Sequence, residues 1–459
     1  MLRKNLIDSL QYKNEEDNSK YKEHGKPKQK SDLPTKQFQK RRSLLVELIE
    51  DNVHVNGVYN IIISLSFFIM ISLNYIEYIQ FGRLSPALDL IYEKFGKLHI
   101  VFIVWLGNNL FTFLCYYCFI LWAAIRQKVD HKNITDKLGV ILLASYYGFT
   151  FYIIPFLINK YNLPFASSAI LLGDSIRFLI KVHAFVRGNA PKVLTSRSEK
   201  EKIKLPTFGQ FVDFVYIPAT IYKDEYPRTD NVRWSFAFYR FMEIIWTIVC
   251  QAHIYIHIIL PIYKDLTCIN PITFGELFIL LLKTCIPAVV LLWLLFFSLL
   301  HSSQNTVGEM LKFGDRMFYL DWWNSLDVQQ FYKKWNCVIG DWLYTYVNKD
   351  LAEVVFPGRR NLAKLLTILI SAIIHEWIIT AALGFYCPVI FVIMIATILF
   401  LTDIFRAKSY TKNIRVFIWM IYPIGPGLIA TSMFVEYFAR QRLPMKANES
   451  FVFWNHCIA

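Results

Sequence analysis

Residues 308–350 read GEMLKFGDRMFYLDWWNSLDVQQFYKKWNCVIGDWLYTYVNKD and lie between two long apolar runs. Aromatic and polar residues alternate through this stretch: Phe318, Tyr319, Asp321, Trp322, Trp323 and Asn324, then Tyr332, Lys333, Trp335, Asn336, Asp341 and Trp342. Trp and Tyr carry an apolar body with one polar tip, so they settle where a membrane meets water. Lys312, Arg316, Lys333 and Lys334 suit a phosphate-bearing ligand arriving from the aqueous side. An amphipathic interfacial helix that only anchors the chain fits the same composition. The stretch is neither a span nor an ordinary loop, and the runs on either side decide the fold.

Those runs recur along a chain of 459 residues that is 55% hydrophobic, 17% aromatic and only 18% charged. About 20 apolar residues cross a ~30 Å hydrocarbon core. The fold class is therefore all-α: a polytopic membrane protein. Its net charge of +14 speaks first of topology and anionic lipid rather than of nucleic acid. The eight cysteines are scattered, mostly inside apolar runs, which argues against a disulfide framework. Cys115 and Cys118 make a CxxC inside such a run, without a histidine beside it, which is weak as a metal or redox signal.

Residues 1–43 are polar and lysine-rich and read as a disordered basic cytosolic tail, leaving 44–459 as one membrane-embedded domain. Nine spans are expected, at 58–75, 99–125, 138–158, 168–186, 235–260, 274–300, 361–385, 388–404 and 416–438. The fourth is unusual in carrying Asp174, Arg177, Lys181 and His183. After it comes a basic segment, 187–234, punctuated by Pro191, Pro206, Pro218 and Pro227. With nine spans the basic connections all fall on one side, which places the N-terminus and residues 308–350 in the cytosol and the C-terminus in the lumen.

Ionisable groups inside a bilayer are expensive and usually functional. The sharpest set is in the seventh span, LLTILISAIIHEWIITAAL, with Ser371, His375 and Glu376. Counting from Ala363 at 1.5 Å per residue, His375 lies ~18 Å into the core, close to its midplane. Ser371 and His375 are four apart and share a helix face. A neutral imidazole there can take a proton from a hydroxyl. His253 and His257 have the same spacing, but the sequence offers no third ligand beside them. No metal site is therefore assigned, and hydrogen bonding at a helix interface is the expectation for this pair.

The motif FYLDWWN at 318–324 closely resembles the signature of the sterol O-acyltransferases, within the membrane-bound O-acyltransferase family. The segments KVHAFVRGNAPKVL (181–194), IYKDEYPRTDNVRW (221–234), EMLKFGDRMFYLDWWN (309–324), SAIIHEW (371–377) and the SLLVEL before the first span read like that family, in its order. The resemblance implies nine transmembrane helices around an intramembrane catalytic tunnel. It implies transfer of a long-chain acyl group from acyl-CoA to the 3-hydroxyl of cholesterol or a related sterol, giving steryl esters, in the endoplasmic reticulum membrane. Diacylglycerol acyltransferases share FYxDWWN and the catalytic residues and are the alternative. Met317, Asp341-Trp342 and the HAFVRxNxP run favour the sterol enzymes. A transporter is the reading from another class, and the absence of internal repeats weighs against it.

Carried over residue by residue, the resemblance makes His375 the general base and Asn336 its partner. Gln330, Lys333, Asn336, Gly340, Asn348, Arg360 and Ser371 become contacts for acyl-CoA, which is a substrate, so that no cofactor is expected. Asn60 becomes a contact for a sterol entering sideways. The resemblance also implies a homodimer or homotetramer. Two departures stand out. Gly340 occupies the position, four residues after the Asn, where the family commonly has histidine. The stretch ARQRLP at 439–444 lacks the cysteine that vertebrate relatives have there, so Cys457 is expected to form no loop-closing disulfide.

Overall fold

The structure, a computed structural model, describes residues 36–82, 86–128, 132–195, 204–266, 272–397 and 412–442. The regular secondary structure of the described part is all helical, apart from isolated bridges pairing Arg41 with Asp315 and Arg228 with Phe313. In chain order the helices are α1 (Leu44–Asp51), α2 (Val53–Phe81), α3 (Pro86–Lys94), α4 (Leu98–Lys128), α5 (Lys132–Gly148), α6 (Ile154–Lys160), α7 (Phe165–Thr195), α8 (Phe208–Tyr216), α9 (Trp234–Ile254) and α10 (Leu260–Tyr263). They continue as α11 (Phe274–Phe296), α12 (Gln304–Met310), α13 (Val328–Trp335), α14 (Cys337–Trp342), α15 (Arg360–Leu383), α16 (Val389–Ala396), α17 (Lys412–Ile421) and α18 (Ile424–Arg442). Short π-helical turns, which widen the ladder by one residue, join α5 to α6, α9 to α10 and α11 to α12.

Local chemistry sets many of the boundaries. Asn52 caps α2 by accepting from the backbone N–H groups of His54 and Val55, and Gly82 ends it in the left-handed conformation at φ 65°. Thr207 with Gln210, and Thr273 with Glu276, form capping boxes at the starts of α8 and α11. Gly384, at φ 75°, closes α15 in the same way that Gly82 closes α2.

Among the described residues, seven helical stretches are long and apolar enough to cross a membrane: Val53–Phe81, Pro86–Lys128, Lys132–Lys160, Trp234–Tyr263, Phe274–Met310, Arg360–Leu383 and Val416–Gln441. They coincide with seven of the nine expected spans. Their outward faces are apolar; on α2, for example, only Met70 and Glu77 are buried, while Ile61, Ile62, Phe67 and Phe68 are exposed. Exposed surface of that kind is stable against lipid and not against water. The expected eighth span begins as α16, and its second half falls outside the described residues.

The expected fourth span takes a different form. It lies inside α7, a helix of 31 residues that runs on to Thr195 with Pro191 inside it, so the basic segment after it begins later than the prolines suggest. A proline removes only its own N–H from the ladder, and the last turn survives that loss. α7 is a buried spine rather than a lipid-facing span: Leu171, Leu172, Phe178, Ala184, Phe185 and Val193 on it are all sequestered. Its polar residues are spent on neighbours. Arg177 Nε donates to Asp174 Oδ1 at 2.6 Å, and Arg177 also donates to the carbonyl of Val215. Lys181 Nζ donates to the carbonyls of Phe214, Ile217 and Ala219, so the three N–H groups of one ammonium meet three acceptors at the end of α8.

Candidate active site

His375 sits in the second half of α15, exposed on its helix face. Its Nδ1 donates to the carbonyl oxygen of Ser371, one turn back, at 2.8 Å. This bond fixes the tautomer: with the proton on Nδ1, the lone pair is on Nε2, the outer nitrogen. The Ser371 contribution comes from its backbone and not from its hydroxyl. Glu376, next along, belongs elsewhere. It is buried, and its Oε2 accepts from the backbone N–H of Phe391 at 3.1 Å, tying α15 to α16.

Asn336 occupies the single-residue break between α13 and α14, at φ −141° and ψ 88°. Its Oδ1 accepts from the Ile339 backbone N–H at 3.1 Å and so caps α14. The oxygen is committed, and the Nδ2 hydrogens are the part of the amide available to another acceptor. The break is pinned on both sides by backbone bonds to the aromatic motif: Leu320 N–H to the Lys334 carbonyl, and Cys337 N–H to the Phe318 carbonyl, both 2.9 Å.

The motif itself is scaffold. Phe318 and Tyr319 are each 1% exposed. Trp322 and Trp335 stand 4.7 Å apart, and Phe296 lies 4.6 Å and Phe331 5.3 Å from Trp335, forming an aromatic box behind Asn336. Asp321 pairs with Lys334 at 3.0 Å, the Trp323 carbonyl accepts from Trp419 Nε1, and Asn324 is exposed. Tyr319 Oη lies 2.6 Å from His301 Nδ1 and 3.1 Å from Ser43 Oγ, while Arg240 donates to His301 Nε2 at 2.8 Å. That buried chain was not legible in the sequence; its only signal was the polar run HSSQNT at 301–306 after the sixth expected span. Ser43, together with Gln39 and Arg41 on residues assigned to the tail, bonds to the central stretch at Tyr319, Asp315 and Gly314. Residues 1–35 fall outside the described part.

The remaining expected contacts separate into two groups. Gln330 is half-buried in the cap of α13, where its N–H binds Asp327 Oδ1 at 2.7 Å and its Oε1 accepts from Leu326. Asn348 Nδ2 donates to Thr367 Oγ1 at 3.3 Å, joining the end of the central stretch to α15. Lys333 and Arg360 are exposed, Arg360 at the very start of α15. Gly340 lies inside α14, where a β-carbon would meet nothing within 4 Å. Val338 and Ile339 beside Asn336, and Ile374 and Trp377 beside His375, pack on the same apolar core, so α14 and α15 share one support. Asn60 stands apart: it is exposed on α2 and bonded to Asn56 of its own helix at 2.8 Å.

Lys349 was not singled out from the sequence. Its side chain is buried, Nζ has no hydrogen-bond partner among the described residues, and the ring of Tyr344 lies 5.2 Å away. Burial holds its pKa below the ordinary lysine value. On the neighbouring turn, burial pushes the Tyr346 phenol up to about 12, while its Oη accepts from the Tyr222 backbone N–H at 3.2 Å.

An imidazole whose outer nitrogen and an asparagine amide whose hydrogens have no partner among the described residues, on an apolar support common to both, suit general-base attack of a hydroxyl on an acyl carbonyl. Comparison with known proteins agrees. The model of MBOAT, the membrane-bound O-acyltransferase family, matches residues 90–435. The chain is 34% identical over 412 residues to sterol O-acyltransferase 1 of Mus musculus, covering 89% of this chain and 76% of that one. It is 33% identical over 412 residues to sterol O-acyltransferase 1 of Cricetulus griseus, at 89% and 75% coverage. To sterol O-acyltransferase 2 of Homo sapiens it is 32% identical over 406 residues, at 88% and 76% coverage. Match and site chemistry lead to one conclusion: this chain belongs to the membrane-bound O-acyltransferase family and is a multi-pass membrane acyltransferase.

Proposed function

We propose that the protein is a sterol O-acyltransferase that moves a long-chain acyl group from acyl-CoA to the 3-hydroxyl of cholesterol or a related sterol. The observation that carries this reading is the bond from His375 Nδ1 to the Ser371 carbonyl, which leaves Nε2 as a base on an exposed face of an apolar helix. His375 Nε2 takes the sterol hydroxyl proton as the oxygen attacks the thioester carbonyl. The carbonyl oxygen gains negative charge, which the Asn336 Nδ2 hydrogens stabilise. As the tetrahedral intermediate collapses, the carbon–sulfur bond breaks and His375 returns the proton to the departing CoA sulfur. Atoms balance without an acyl-enzyme, and positioning two substrates in one site supplies much of the rate.

In this reading Lys333, Arg360, Gln330, Asn348, Gly340 and Ser371 serve the acyl-CoA, and Lys333 and Arg360, both exposed, would meet its phosphates. Asn60 on the outer face of α2 would meet sterol arriving from lipid. Nine spans around an intramembrane tunnel, an endoplasmic reticulum location, a cytosolic N-terminus, a luminal C-terminus and a homodimer or homotetramer complete the proposal. Support for the sterol comes from the relatives' names and from Met317, Asp341 and Trp342 around the motif.

The test is a substrate panel in proteoliposomes, with cholesterol, plant sterols and diacylglycerol competing for one labelled oleoyl-CoA. Steryl ester from wild type and none from a folded His375→Ala variant is the expected result. Triacylglycerol as the main product would reassign the acceptor, and full turnover by His375→Ala would remove the base.

A further inference from the structure

Acyl transfer leaves unused a group of three ligating side chains where α2 meets α9. His253, near the end of α9, and His257, in the π-helical turn after it, stack with ring centroids 5.6 Å apart and planes 7° apart. From the sequence alone the pair has no third ligand; the structure supplies one from a helix far away in the chain. Glu77 Oε1, on the last turns of α2, is 2.7 Å from His257 Nε2 and 3.8 Å from His253 Nδ1. One ligand atom from each residue falls within 4.8 Å of the other two.

Burial and bonding both point to a guest. The side chains of Glu77 and His253 are 1% exposed and that of His257 is 31% exposed, so the group is closed on two sides and open on the third. Glu77 Oε2 and His253 Nδ1 are buried with no hydrogen-bond partner among the described residues. Most buried polar atoms find a hydrogen-bond partner, and these two, in one group of three ligating side chains, do not. Bonds of about 2.0–2.1 Å in a tetrahedral zinc site set neighbouring ligand atoms about 3.3–3.4 Å apart, inside the range these side chains span. Two imidazoles and one carboxylate are the donors of zinc-class ions, whereas calcium and magnesium prefer an all-oxygen set. Asn74 Nδ2 lies 3.3 Å from His253 Nε2, the nitrogen facing away from the group. An amide there can donate to that nitrogen or, turned over, accept from its N–H, which is the orienting contact a metal-bound imidazole needs.

We propose that Glu77, His253 and His257 bind a divalent transition-metal ion of the zinc class, which clamps the first span to the fifth. Three protein ligands leave one position for water or for Glu77 Oε2.

The full chain, purified in detergent and stripped with chelator, is titrated with Co²⁺ and then with Zn²⁺. One equivalent of Co²⁺ should give the intense visible bands of four-coordinate cobalt, and Zn²⁺ should abolish them. His253→Ala and His257→Ala should each weaken binding at least tenfold. Glu77→Gln, nearly isosteric and still able to hydrogen-bond His257, should fold, lose the bands, and no longer melt higher when Zn²⁺ is added. Cobalt bands or a zinc-dependent melting shift of wild-type size in Glu77→Gln would overturn the proposal. So would their absence from wild type. Neither readout uses acyltransferase activity, so this test and that of the sterol reading fail independently.

Discussion

At the scale of the residue, the proposed reaction asks two things of the one Asn336 amide: its oxygen caps α14, and its nitrogen would serve the substrate. The two can be separated. Asn336→Asp keeps a good capping oxygen and loses the N–H donors, so it should fold like wild type while turnover falls by about 10²–10³, the range for removing one oxyanion donor. Asn336→Ala should lose both, with a further ~1 kcal/mol of stability. Melting curves beside turnover numbers check this; wild-type turnover in Asn336→Asp would refute the donor role. Gly340 permits a complementary gain. A β-carbon there meets nothing within 4 Å, so the first atom of a Gly340→His side chain has room. If that imidazole contacts acyl-CoA, the KM for oleoyl-CoA should drop by the equivalent of one hydrogen bond, about 0.5–1.5 kcal/mol, with kcat held. A tenfold rise in kcat at constant KM would instead make it a second base.

At the scale of the element, α7 is held by Lys181, whose ammonium gathers the three carbonyls at the end of α8. Lys181→Met keeps the stem and strands those acceptors, so detergent-solubilised protein should lose about 2–4 kcal/mol, as judged by thermal or denaturant unfolding. An unchanged midpoint would show that water replaces the lysine. This helix also marks the limit of what the sequence discloses. Apolar runs located seven spans, because exclusion from water acts on composition alone. The spacing of Ser371 and His375 marked the helix face they share, and the structure joins them there through the Ser371 carbonyl. The sequence did not disclose that Lys181 is bound within the protein, because its partners are backbone carbonyls, which no side-chain pattern records. The His301–Tyr319 bond and the meeting of Glu77 with His257 were hidden for the related reason that tertiary packing chooses such partners. Pro191 misled in the opposite sense: a proline late in a long helix marks a lost hydrogen bond, not an end.

At the scale of the whole molecule, the spans alternate in direction, and the proposed orientation gives the two glycosylation sequons opposite fates. Asn133, in the first turn of α5, should carry no glycan, since it faces the cytosol in that arrangement. Asn448, outside the described residues, would fall on the luminal side in that arrangement and should be the acceptor if either is used. Endoglycosidase shifts of Asn133→Gln and Asn448→Gln variants read the result directly, and a glycan on Asn133 would invert the topology. The attachment of α2 bears on biosynthesis as well. Only Met70 and Glu77 on it are buried, and its polar contacts to α9 and the turn beyond are Tyr59 to Glu243, Ser66 to Trp246, Asn74 to His253 and Glu77 to His257. Glu77 and His257 are 180 residues apart. At about 5–20 residues per second, the ribosome delivers the partner roughly 10–40 s after the first helix. For that interval the first helix waits in the bilayer with its carboxyl, amide and hydroxyl groups unmatched, so quality control has its longest opportunity to reject the nascent chain before the fifth helix emerges.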